Sequence, residues 1–261
     1  MFPWFQYTVV YLGPIPIQVW GLFVALGMLL SVWIVWKRAK RLGENPEQIV
    51  DLAFWAIVGG LIGARLFHVV LYQPDFYFDN PVEIIKVWRG GLSSFGGLFG
   101  AAVGFLWKAR MGLSGGFYRK LFKIADILAF AAVYGWMVGR LGCAMIHDHP
   151  GIACNCFLAV RWSDGTPRLD MAILEILAMT PLAIWFYLTR RKRKPDGWFL
   201  NVLFIYYGAL RFILDFFRAT DLPGADARYF GLTPAQYFAI LLVVLGGKFF
   251  FSSKRHVGRF A

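Results

Sequence analysis

The sequence predicts an all-α polytopic membrane protein. About seven transmembrane helices are expected, with the N-terminus outside and the C-terminus in the cytoplasm. Three observations predict this. Of 261 residues, 59% are hydrophobic and 16% charged, whereas soluble domains hold about 45–50% and about 25%. Mean hydropathy is +0.57. The apolar residues gather into runs near the roughly 20 residues that span a bilayer. This composition excludes a disordered chain, a disulfide scaffold and an ordinary soluble enzyme. The net charge of +12 sits in short clusters between apolar runs, as in cytoplasmic membrane loops, so no nucleic-acid partner is expected.

The runs follow in order. Residues 15–36 form the first, too long and wrongly flanked for a signal peptide, and therefore a retained helix. Lys37, Arg38, Lys40 and Arg41 follow it. Residues 51–72 form the second. The third, 91–107, is short and glycine-rich, and reads as broken or re-entrant. Lys108, Arg110, Arg119, Lys120 and Lys123 come next. The fourth run, 126–146, leads into a polar, irregular outside stretch, 143–168, suited to a periplasmic cap or a site wall. The fifth run, 169–188, ends at Arg190–Lys194, RRKRK. Residues 198–217 and 234–251 complete the set, and the tail is again basic. The four basic sets hold 18 of the 27 Lys and Arg residues, all on one side of a seven-helix arrangement. That side is the cytoplasm. No repeat or long linker divides the chain, so residues 1–261 read as one integral membrane domain.

Arg65, Arg140 and Arg211 lie within or at the rim of apolar runs. An arginine at a helix centre costs at least about 2.5–3.5 kcal/mol. Each could snorkel to an interface or pair with Asp126, Glu175 or Asp215. Taken together, the three favour a shared cavity for an anionic group. In a bilayer that group is a lipid phosphate, which arginine grips with two parallel hydrogen bonds. In the segment 207–218, YGALRFILDFFR, residues Tyr207, Arg211, Asp215 and Arg218 fall on one helical face. Arg140 is the first candidate for a neighbour. Glycines flank Ser93 and Ser94, and Gly135, Gly139 and Gly142 surround Arg140. Close packing is their expected role, with backbone approach to a ligand as the alternative.

His147, Asp148 and His149 stand at the outer end of the fourth run. Histidine moves protons near neutral pH, so one of the two could serve as a base. A polar helix-end cap is the other reading. Cys143, Cys154 and Cys156 lie in the same stretch. With the histidines they offer zinc donors, but C-x-C and H-x-H are not the usual spacings, and no metal or cofactor is expected. A disulfide from Cys143 to Cys154 or Cys156 is permitted on an oxidising side.

The ordered motifs resemble one family. These are GGLIGARLFHVVLY at 59–72, WRGGLSSFGGLFG at 88–100, GRLGCAMIHD at 139–148, YGALRFILDFFRATD at 207–221 and GLTPAQ at 231–236. They are similar to motifs of the bacterial phosphatidylglycerol–prolipoprotein diacylglyceryl transferases, inner-membrane enzymes with seven spans. The resemblance implies transfer of a diacylglyceryl group from phosphatidylglycerol to the lipobox cysteine of a prolipoprotein signal peptide. It implies a multi-pass protein of the bacterial inner membrane with its site toward the periplasm. Carried over, Arg140 and Arg211 match the family's essential arginines. Tyr207, Asp215, Arg218 and Asp148 match cavity positions, with Asp215 and Asp148 standing where the family has Glu. Arg65 and Ser93 fall in the matching motifs and are expected to bind substrate. His147 and His149 are the candidate bases, because Phe95 occupies the place of the family's motif histidine. Cys143 replaces an Asn, Trp20 replaces a Tyr, and His147 replaces a Gly. The run RLDMAILE retains Arg168 and Glu175 of a longer family motif. These departures leave two alternatives: a related phospholipid-dependent transferase with another acceptor, or a non-catalytic binder of lipid or signal peptide.

Overall fold

The computed structural model describes residues 3–87, 90–112, 117–222, 225, 226 and 228–257. Trp88, Arg89 and Arg259, and the side chains of Ser94, Phe95, Arg119, Lys254, Arg255 and His256, lie outside that description. The chain forms two compact units, Met1–Ser31 with Ala125–Ala261, and Val32–Ile124.

The long helices are α1 (Val19–Arg41), α2 (Pro46–Leu71), α4 (Ser94–Gly112), α5 (Phe117–Ile146), α6 (Met171–Thr189), α7 (Trp198–Leu214) and α8 (Pro234–Val257), with a short α3 at Pro74–Asp79. Among the described residues, five helical segments are long and apolar enough to cross a membrane: Val19–Arg41, Pro46–Leu71, Lys120–Ile146, Met171–Thr189 and Trp198–Phe217. Within their most apolar windows only 17–44% is buried inside the protein. The remaining apolar surface suits lipid tails, not water.

The all-α expectation needs correcting at two places. Residues 15–18, expected to open the first span, form strand β2 (Ile15–Gln18), paired antiparallel with β1 (Val9–Leu12). Gly13 turns the hairpin at φ 61°, where glycine carries no steric penalty. The stretch expected to be irregular contains a three-stranded sheet. Its strands are β3 (Pro150–Ala153), β4 (Ala159–Arg161) and β5 (Pro167–Asp170), in the order β3-β5-β4. Cys154 is bonded to Cys156, and Cys143 keeps a free, buried thiol. The permitted pairing of Cys143 with either is thus not the one formed.

In the unit Val32–Ile124, α2 lies against α4 through glycines on both helices. A Cβ added to Gly63 would stand 2.8 Å from Gly100 Cα, and one on Gly59 would run into the Gly100 carbonyl. Only missing side chains let the backbones approach this closely. Asn45 caps α2, accepting from the Glu47 and Gln48 N–H groups at 3.0 and 3.3 Å, with Pro46 at the first position.

In the other unit, Gly135 on α5 meets the Gly27 carbonyl of α1, and Gly142 meets Phe23. Asp126 accepts from the Leu200 N–H at the start of α7, at 2.9 Å. Asp170 ends β5 and caps α6, accepting from the Ala172 and Ile173 N–H groups at 2.8 and 3.1 Å. Cys143 and Ala144, at the C-terminal end of α5, pack with Ala172 at the N-terminal end of α6.

Candidate active site

Glu175, one turn into α6, is buried, and both arginines converge on it. Arg140 Nη2 stands 2.9 Å from Glu175 Oε2. Arg211 Nη1, from α7, stands 3.7 Å from the same oxygen. The other oxygen, Oε1, accepts from the Trp136 indole at 2.8 Å. Trp136 lies one helical turn before Arg140 on α5, and the Arg140 guanidinium stacks over its ring at 5.2 Å. Tyr207 packs edge-on to Trp136. Arg211 Nη2 also pairs with Asp215 Oδ1 at 3.1 Å, and Asp215 Oδ2 accepts from Thr233.

A buried carboxylate therefore holds two guanidinium groups side by side. The four charges sum to zero, which offsets part of the cost of placing ions in an apolar setting. Arg140 Nε is buried and has no hydrogen-bond partner among the described residues. An anion entering here would find an uncommitted donor beside groups already oriented.

The expected Tyr207–Arg211–Asp215–Arg218 stripe is corrected at its last member. α7 ends at Leu214, Asp215–Phe217 tightens to a 3-10 turn, and Arg218 is extended. Its Nε pairs with Asp226 at 2.8 Å. Arg168 makes a two-pronged pair with Asp221, at 3.0 and 2.5 Å. That hydrogen bonding holds the exposed Asp221 carboxyl below the usual carboxylate range.

The two histidines separate. His147 is buried with Nδ1 2.5 Å from Asp170 Oδ2. Trp4 stacks on its ring and Phe5 and Trp162 meet it edge-on. Its φ is 48°, the left-handed region that glycine adopts freely. The ring is walled in, which does not suit a base acting on substrate. The same turn swings His149 back toward α5. His149 Nε2 lies 3.4 Å from Arg140 Nη1, and Nδ1 is hydrogen-bonded to Asp148. Cys143 Sγ lies 3.7 Å from the same Nη1. Trp20 packs against the cluster of Cys143, Ala144 and Ala172.

Arg65 and Ser93, in the other unit, hold backbone. Arg65 Nε donates to Ile84 O at 2.8 Å, Nη1 to Gly90 O and Gly91 O at 2.6 and 2.8 Å, and Nη2 to Glu83 O and Lys86 O at 2.5 and 3.4 Å. All five guanidinium donors are used. Ser93 Oγ accepts from the Gly96 N–H at 3.4 Å and caps α4.

Sequence reasoning left Glu175 and Trp136 out of the site. Glu175 did carry a signal, as a carboxylate in an apolar run and as part of a retained motif. For Trp136 the only signal was its place one turn before Arg140.

The fold and the site define a mostly helical, multi-pass membrane protein with two arginines clamped on a buried carboxylate. The sequence pattern of the family described as prolipoprotein diacylglyceryl transferase matches residues 7–252. The chain is 32% identical over 251 residues to the phosphatidylglycerol–prolipoprotein diacylglyceryl transferase of Janthinobacterium sp. (strain Marseille), covering 90% of each chain. It is 31% identical to that of Mannheimia succiniciproducens, covering 95% of this chain and 92% of the relative. It is 32% identical to that of Azoarcus sp. (strain BH72), covering 94% and 93%. The chain belongs to the prolipoprotein diacylglyceryl transferase family.

Proposed function

We propose that this chain transfers the diacylglyceryl group of phosphatidylglycerol to the lipobox cysteine of prolipoproteins, at the outer side of the bacterial inner membrane. Family membership across nearly the whole chain supports the reaction. The arginine pair on Glu175, with an Arg140 Nε that has no partner among the described residues, is the observation that carries the site. Orientation rests on charge. Arg140 and Arg211 lie near the ends of α5 and α7, and Glu175 near the start of α6, in each case the end remote from a basic loop.

The chemistry needs one bond made and one broken. The cysteine sulfur attacks the glyceryl carbon that carries the phosphate ester. A C–S bond forms, the C–O bond breaks, and glycerol phosphate leaves with the electron pair. Arg140 and Arg211 hold the phosphate and stabilise the charge growing on its leaving oxygen. The thiol proton goes to His149. In the tautomer that donates Nδ1–H to Asp148, Nε2 presents a lone pair beside Arg140, where the phosphate would sit. Glu175 is the hub that spaces the arginines. Its oxygens already meet two guanidinium groups and an indole. Tyr207 and Asp215 position Glu175 and Arg211. Arg65 and Ser93 shape the backbone of their own unit.

The test is mass spectrometry of a lipobox peptide incubated with purified protein and phosphatidylglycerol. A cysteine-linked diacylglyceryl mass is expected, absent with Arg140→Ala. No adduct, with a typical family member active alongside, would overturn the assignment.

A further inference from the structure

We propose that Cys143, Asp148 and His149 form a binding site for a thiophilic divalent cation of the zinc class. Their donor atoms all lie within 4.8 Å of one another. The sequence spacing conceals this. Cys143 belongs to the last turn of α5, while Asp148 and His149 follow the left-handed turn at His147. That turn folds the chain back and sets a carboxylate and an imidazole beside the thiol. Thiolate, imidazole and carboxylate form a donor set that zinc accepts.

Three features favour a cation here. First, the place already faces one. Arg140 Nη1 lies 3.7 Å from Cys143 Sγ and 3.4 Å from His149 Nε2. Arg140 is itself paired with Glu175 through Nη2, at 2.9 Å. Second, the charges close. A divalent ion with a thiolate and a carboxylate is neutral, and Arg140 remains neutralised by Glu175. Third, access is one-sided. Cys143 is buried, while the Asp148 and His149 side chains are 36% and 25% exposed, so an ion reaches the thiol past the other two ligands. Zinc bonds of about 2.0–2.3 Å place tetrahedral ligands about 3.3–3.8 Å apart. The donors therefore need to draw in by only about 1–1.5 Å. Three protein ligands leave one position for water.

Occupancy takes the His149 ring into the ion's coordination. Resting on the proposed role of His149, it follows that the ion inhibits transfer.

Cobalt(II) is the probe, added to the full chain in detergent without reductant, lipid or peptide. A 1:1 complex with a sulfur-to-cobalt charge-transfer band in the near ultraviolet is expected. The band should vanish in Cys143→Ser and persist in the double variant Cys154→Ser, Cys156→Ser. His149→Ala should weaken binding at least tenfold, and zinc should displace the cobalt. No band in the unaltered protein, or an undiminished band in Cys143→Ser, would overturn the site. Zinc is then added to the peptide-lipidation assay. Inhibition reversed by a chelator joins the two readings. Cobalt binding without inhibition keeps the metal site and removes His149 from the reaction.

Discussion

Arg65, buried, and Arg140, half-buried, are both cations on apolar helices, yet their partners differ in kind. Arg65 donates all five N–H groups to carbonyls of residues 83–91. Arg140 shares one carboxylate with Arg211 and keeps Nε free of partners among the described residues. A ligand could displace the Arg65 contacts only by unravelling a loop. At Glu175, an incoming anion exchanges with a carboxylate that already serves two cations. The first arginine is committed to the fold, and the second is the one proposed to serve the chemistry. Charge in an apolar run marks both, and only the partners tell them apart.

The sharpest way to break this comparison is to delete each cation. Arg140→Ala should lower turnover about 10³-fold, the scale of losing an oxyanion-type donor, and cost less stability than Arg65→Ala, because Arg211 still pairs with Glu175. Arg65→Ala should do the reverse. It leaves five carbonyls unpaired, at about 1 kcal/mol or more each, so unfolding should shift strongly while turnover per folded molecule changes far less. An Arg65→Ala protein as stable as the parent but inactive would erase the distinction.

The next effect separates the histidines. His149→Ala should cost about 10²-fold in turnover, as for loss of a general base, and added imidazole should restore part of it. His147→Ala should instead lower stability by about 1–3 kcal/mol, since it strands one Asp170 oxygen and empties the aromatic box. Rescue of His147→Ala turnover by imidazole would reverse these roles.

Glu175→Gln tests the hub. The charge of the four-residue cluster rises from zero to +1, while the amide still accepts from Trp136. Phosphatidylglycerol should bind more tightly, and turnover should fall about tenfold because the arginines lose their shared anchor. A fall in both affinity and turnover would show that Glu175 touches the lipid itself.

Most of the helical fold was legible because long apolar runs and basic clusters carry it. The five spans need little more than composition. Residues 15–18 misled because a short apolar run does not distinguish strand from helix. In 143–168 the strands are three or four residues long and pair across loops, too short for alternation to register. The stripe from Tyr207 held through Asp215 and failed at Arg218, since no glycine or proline announces the end of α7 at Leu214. Glu175 could be named as a partner but not as the hub, because three helices must pack before its role exists. His147 and His149 look equivalent in sequence. One left-handed residue sends them to different neighbours.

The smallest effect is expected outside the spans. Arg168 reaches Asp221 with two hydrogen bonds, and the Asp221 carboxyl is held below its ordinary value for that reason. A carboxyl depressed in the folded state contributes stability above its unfolded value of 3.8 and loses it as pH falls through the lower folded value. The contribution is thus complete at neutral pH and fades only in strong acid. Asp221 is open to solvent, so salt screens the pair. Asp221→Asn should move the unfolding midpoint slightly at low ionic strength and not at all in high salt, with turnover unchanged. A large, salt-insensitive loss would mean that Arg168, buried on β5, depends on Asp221 as Arg65 depends on its carbonyls. The pair would then belong with the arginine that builds the fold.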